Sequence, residues 1–137
     1  MPLILVIDDQ PQIRKMARHI LSMAGHAVVE AEDGAVGLKQ LAVHRPAIVL
    51  TDILMPGTEG LETIFAIRRA APDVKIIAMS GSGGNCGFDY LEMAERAEAD
   101  AALSKPFRAA ELIGTVNRLL PAAPDLAGST IEQGEYR

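Results

Sequence analysis

Short apolar runs and longer segments of helical period alternate along this chain, and the alternation repeats five times. The runs, rich in Val, Ile and Leu, are Leu3 to Ile7, Ala27 to Glu30, Ala47 to Leu50, Lys75 to Met79 and Ala101 to Ser104. Each has the length of a strand. Between the first two, Ile13, Met16, Ala17, Ile20 and Leu21 recur at spacings of three and four, which predicts a helix with one apolar stripe, ended by Gly25. A second helix is predicted from Asp33, a good N-cap residue, burying Val36 and Leu41 before Pro46 prevents continuation. Leu61, Ile64, Phe65 and Arg68 mark a third, Phe88 to Ala97 a fourth, and Leu112, Ile113, Val116, Leu119 and Leu120 a fifth, which Pro121 and Pro124 stop. The fourth follows Ser80-Gly81-Ser82-Gly83-Gly84-Asn85-Cys86-Gly87, whose composition predicts a mobile loop.

Near-continuous apolar strands joined by helices predict a parallel sheet covered on both faces, because a parallel crossover needs a helix. The expected fold class is α/β, a doubly wound five-stranded parallel sheet with five helices, occupying residues 1–120. The tail at 121–137 is Pro, Gly and polar, too poor in large apolar residues to pack, and is predicted to be disordered. With 137 residues, 49% of them hydrophobic, the chain suits one domain with one well-buried core.

Composition then excludes several classes of function. A net charge of -5, no run of Lys or Arg, and only two Tyr and three Phe disfavour direct nucleic-acid binding. Cys86 is the only cysteine, which forbids an internal disulfide or a cysteine metal cage and fits a reducing, cytoplasmic setting. A redox role for it is disfavoured, since no base or cation adjoins it in sequence. Met1 to Val6 is apolar but lacks the basic flank of a signal peptide and the length of a membrane span, so no membrane attachment is expected. His19, His26 and His44 have no metal-ligand spacing, and no nucleophile elbow positions a Ser, His and Asp trio.

In doubly wound sheets, ligands collect beyond the carboxyl ends of the strands. There the chain places Asp8 and Asp9 after the first run, Asp52 after the third, Ser80 after the fourth, and Lys105-Pro106 after the fifth. Three converging carboxylates repel one another, and a hard cation, Mg²⁺ or Mn²⁺, relieves that repulsion. A carboxylate beside such an ion can attack phosphorus and form an acyl phosphate. Lys105 would supply a positive charge against the phosphoryl oxygens and Ser80 a hydroxyl donor. Singly, each residue has a plainer explanation: helix capping for Asp8 and Asp9, turn chemistry for Asp52, a solvated charge for Lys105. Their joint placement at one edge of one sheet favours the functional reading.

Over Leu3 to Leu120 the chain resembles a response-regulator receiver domain of two-component signalling. The motifs that carry the resemblance are Asp8-Asp9 with Arg14 downstream, Asp52-Ile53-Leu54-Met55-Pro56 with Gly60, Ser80-Gly81, and Lys105-Pro106-Phe107. It implies a flavodoxin-like fold with strand order 2-1-3-4-5, phosphorylation of Asp52, and Mg²⁺ held by Asp9, Asp52 and the Leu54 backbone carbonyl, with Asp8 supporting the ion through water. It also implies a sensor histidine kinase or histidine phosphotransfer protein as donor and an inward movement of Ser80 on phosphorylation. Because the tail is too short and polar to fold, the output is expected to be the binding of a downstream target protein. The expectation is a single-domain phosphoacceptor without a fused output domain, assisting only its own phosphoryl transfer and dephosphorylation.

The pattern has departures. Ala102 stands three residues before the lysine, where relatives usually carry Tyr or Phe, so the signal is expected to leave through the loop Gly81 to Gly87 and the helix after it. Ser80, Ala102 and Pro106 are the expected switch and output positions, and the surface formed by the fourth helix, fifth strand and fifth helix is the expected output face. Glu98 replaces a frequent glycine. Neither Leu54 nor Ser82 offers an amide to orient an attacking water, so the acyl phosphate is expected to persist until a partner removes it. The alternative is a phosphorylation-independent interaction module of receiver shape, for which Ala102 is the best support.

Overall fold

The computed structural model describes residues 2–55, 58–80 and 99–120, without the side chains of 54–61 and 80. Strands β1 (Leu3–Ile7), β2 (Ala27–Ala31), β3 (Ile48–Asp52), β4 (Lys75–Ser80) and β5 (Ala101–Ser104) form one sheet. Their order is β2-β1-β3-β4-β5, and every neighbouring pair is parallel. Helices α1 (Pro11–Met23), α2 (Gly34–His44), α3 (Gly60–Ala70) and α4 (Ala109–Leu119) are described, together with a two-residue antiparallel ladder of Leu54–Met55 with Thr58–Glu59. The fourth predicted helix, the glycine-rich loop before it and the tail lie outside the described residues, so α4 is the fifth helix of the sequence reading.

Side chains alternate across a strand, so the apolar runs feed two cores. Leu5, Ile7, Val49 and Ile76 pack with Leu41, Ile64 and Ile67 of α2 and α3, while Ile4, Val6, Leu50 and Ile77 pack with Ala17, Leu21, Leu112 and Val116 of α1 and α4. Every residue of β3 is buried, whereas β2 and β5, at the sheet edges, are only partly covered. One expected stripe residue, Met16, is a flank residue instead, since Ala17 and Leu21 take the core face of α1. On α3 Ile64 and Ile67 take the core face, and Phe65 is 44% exposed.

Local chemistry fixes the helix ends. Pro11 opens α1, where a missing N–H costs nothing, and Gly25 ends it at φ 94, a conformation that favours glycine. The Asp33 carboxylate accepts from the Val36 N–H at 2.9 Å to cap α2. At the amino end of the sheet, Arg68 donates to the carbonyls of Pro72 (2.9 Å) and Val74 (2.7 Å) and pairs with Asp100, which also accepts from the Ile76 N–H. That end is braced for stability, leaving the carboxyl end for chemistry. Among the described residues no helix is long and apolar enough to cross a membrane.

At Gly37 α2 lies close against the sheet: a Cβ there would meet the Ile7 side chain, whereas nothing lies within 4 Å of one at Gly114. We expect Gly37→Ala to lower stability by about 1–3 kcal/mol through overpacking. Gly114→Ala, on an exposed turn of α4, should raise it by about 0.5–1 kcal/mol. Urea midpoints read both, and a stabilised Gly37→Ala protein would show that this helix does not sit so tightly.

Candidate functional site

The carboxyl ends of β1, β3 and β5 bring three acids and one lysine together. Asp8 follows β1 directly and is fully buried, and its N–H donates to the Ala31 carbonyl at 3.1 Å, which carries the β1–β2 ladder one step beyond the strand. Asp52 is itself the last residue of β3, two residues past the apolar run that marked the strand. Thr51 and Asp52 stay in register with Ala78 and Met79, and Asp52 is 4% exposed. Polar residues can continue a ladder that hydropathy alone would end, because the ladder is made by backbone groups. Asp9 is exposed. Carboxylate oxygens of Asp8, Asp9 and Asp52 all lie within 4.8 Å of one another, a spacing a single cation can bridge.

Lys105 closes the far side. Its ammonium donates to Asp8 Oδ2 at 2.6 Å and to Asp52 Oδ2 at 3.0 Å, linking two acids that are 44 residues apart in sequence. Burial works against the charge on Lys105, but the hydrogen bond to Asp8 and the charge of Asp52 outweigh it, so its pKa is raised above the ordinary lysine value. The other Asp8 oxygen accepts from the Gln10 N–H at 2.9 Å, so both oxygens of this buried carboxylate are occupied. Formally, three carboxylates less one ammonium leave two negative charges, which suits a divalent cation.

The backbone places Ser80 beside this cluster: it ends β4, one residue beyond the partner of Asp52, and pairs with Ser104, the residue before Lys105. Its side chain, and the chain of Leu54 beyond its backbone ladder, lie outside the described residues, as do Pro56, Ser82, Cys86 and Glu98. Ala102 is half-buried on β5 opposite Ala78, and Pro106 is exposed after a cis peptide bond.

Sequence reasoning gave no task to two further groups. Arg14 donates from Nη1 to the Asp8 backbone carbonyl at 2.6 Å and from Nε to Glu30 at 3.3 Å, and Glu30 also accepts from Arg18 at 2.7 Å. The place of Arg14 in the motif signalled its presence but not its partner, since Glu30 reaches it from another strand. A groove of about 550 Å³ between α2 and α3, with Leu38, Arg45 and Asp73 in its wall, lies at the amino end of the sheet, away from the acids.

A family model described as "Response regulator receiver domain" matches residues 4–117. Among curated proteins, the response regulator MprA of Mycobacterium sp. (strain KMS) is 35% identical over 121 residues, covering 85% of this chain and 50% of that protein. The chain thus spans half the length of this relative. Among solved structures, the receiver domain of NtrX from Brucella abortus superposes with a TM-score of 0.80 at 31% identity, covering 88% of this chain and 99% of that one. The response regulator TrrA from Thermotoga maritima, solved in complex with Mg²⁺ and BeF, superposes with a TM-score of 0.75 at 34% identity over 88% of this chain and 100% of that one.

Proposed function

The chain belongs to the response regulator receiver family, and from that membership we propose that it is a phosphoacceptor switch that carries a phosphoryl group on Asp52. The observation that carries this reading is the Lys105 ammonium shared by Asp8 and Asp52, with Asp9 in the same cluster. A carboxylate oxygen of Asp52 attacks phosphorus. The bond from phosphorus to the donor breaks, and the leaving group departs with the electron pair and takes a proton. Lys105 is placed to stay with the phosphoryl oxygens as the new charge develops next to it. Asp9, Asp52 and the Leu54 carbonyl would hold Mg²⁺ directly and Asp8 through water, and the exposure of Asp9 leaves its carboxylate open to such an ion. When bound, the ion supplies a divalent charge to the transferring group. The complex of TrrA with Mg²⁺ and BeF supports the same assignment here.

The donor is a histidine kinase or phosphotransfer protein in the cytoplasm, and the output is a shifted binding equilibrium toward a target protein. Ser80 follows the phosphoryl group as the hydroxyl donor, while Ala102 on β5 and Pro106, two residues past its end, report it.

Intact-mass measurement with acetyl phosphate tests this proposal. The parent chain should gain one phosphoryl group with Mg²⁺ and none with EDTA, and the label should outlast removal of the donor. A chain that stays unlabelled with Mg²⁺ present would instead favour the phosphorylation-independent interaction module.

A further inference from the structure

Arg14 poses a problem for an open cation site. A guanidinium seeks carboxylates, which it binds in a two-pronged fashion. This one already donates to the carbonyl of the peptide that joins Asp8 to Asp9, and the Asp9 carboxylate is exposed, with no hydrogen-bond or ion-pair partner among the described residues. Were Arg14 to turn onto Asp9, the formal charge of the cluster would fall from two negative to one, and a ligand of the divalent cation would be taken. It does not turn. Its Nε is held by Glu30 Oε1 at 3.3 Å, and the other oxygen of Glu30 is fixed by Arg18 at 2.7 Å. Glu30 sits on β2 in register with Val6 of β1, so the restraint comes from the sheet and not from the helix that carries Arg14. The Arg14 and Glu30 side chains are only 18% and 23% exposed, which limits screening of their attraction by water.

We infer that Glu30 is a positioning residue of the acidic site: it holds the Arg14 guanidinium on the Asp8 carbonyl and off the Asp9 carboxylate, keeping that carboxylate free for the cation. Arg14 then fixes the backbone of the acidic pair without competing for its charges, while Lys105, alone among the described residues, neutralises from within. This inference rests on the proposed cation site and adds a control upon it.

The test is a double-mutant cycle in Mg²⁺ affinity, read from the backbone amide shifts of Asp8 to Gln10 during titration with MgCl₂ at fixed ionic strength, with no phosphodonor present. Glu30→Gln keeps the shape of the side chain on a partly exposed edge strand. It should weaken Mg²⁺ binding roughly ten-fold, as loss of an outer partner of a metal site does. In an Arg14→Met background the same change should leave the affinity nearly unaltered, because no guanidinium remains to be released. Equal weakening in both backgrounds would mean that Glu30 acts through its charge alone and would overturn the inference. Unchanged affinity in Glu30→Gln would overturn it as well. A parent chain that binds no Mg²⁺ removes the cation site and this inference together, whereas a parent that binds while the cycle shows no coupling removes only the inference.

Discussion

Asp52→Asn should take up no phosphoryl group from acetyl phosphate at any Mg²⁺ concentration that labels the parent chain, so that the added phosphoryl mass is absent from the intact chain. The amide has nearly the volume of the acid, so the packing of a residue that is 4% exposed at the end of a fully buried strand is preserved. What vanishes is the proposed nucleophile: an amide oxygen does not form an acyl phosphate, and the neutral group also withdraws one negative charge from the acidic cluster. The neighbouring acids do not substitute. Asp8 is fully buried with one oxygen on Lys105 and the other on the Gln10 N–H, so neither is free to attack. Asp9 has no hydrogen-bond or ion-pair partner among the described residues, but it is exposed and is proposed to hold the ion. An Asp52→Asn protein that gains one phosphoryl group at the parent's rate would move the acceptor elsewhere and end the assignment.

Lys105→Met should be the most damaging single change to the fold at this site in metal-free buffer, at about 3 kcal/mol, because removing one member of a buried ion pair leaves its partners uncompensated. Two carboxylates, 0% and 4% exposed, would then face each other without the ammonium that both now touch. Added Mg²⁺ should restore more stability to the variant than to the parent, since a ligand that binds only the folded state stabilises it by mass action and the variant has more repulsion to relieve. Urea midpoints with EDTA and with saturating Mg²⁺ measure both effects. The pH dependence has a definite sign. The folded pKa of Lys105 is raised above 10.5, so its contribution is fully present below that value and is lost only as pH climbs through the higher folded one. The gap between parent and variant should therefore be flat through neutral pH and narrow in strong alkali. Phosphoryl uptake should also slow by roughly a hundredfold, the usual cost of one lost electrostatic donor at a reacting centre. A Lys105→Met chain as stable as the parent in EDTA would show that the pair carries little of the local energy.

The five apolar runs were legible because parallel strands buried on both faces favour unbroken apolar sequence, which β1 satisfies throughout and β3 over Ile48 to Leu50. Asp33 and Gly25 were legible for the same local reason: a cap and a positive φ are decided within a few residues. The candidate site was legible as a set of strand ends, with the resemblance supplying their order in the sheet. Met16 was misplaced because a helical stripe names several apolar neighbours, while only the fit against the sheet selects which of them it buries.

Hydrophobic period and turn chemistry thus determined from sequence alone that this chain alternates strand and helix and that Asp8, Asp9, Asp52 and Lys105 fall at the carboxyl ends of strands. Only the tertiary structure decided that Lys105 is shared between Asp8 and Asp52 while Asp9 faces solvent, and that Arg14 answers to Glu30. The physical reason is range. Backbone propensity and capping act over a few residues along the chain, but an ion pair depends on which strands become neighbours and how far each side chain reaches, and no local pattern encodes that distance.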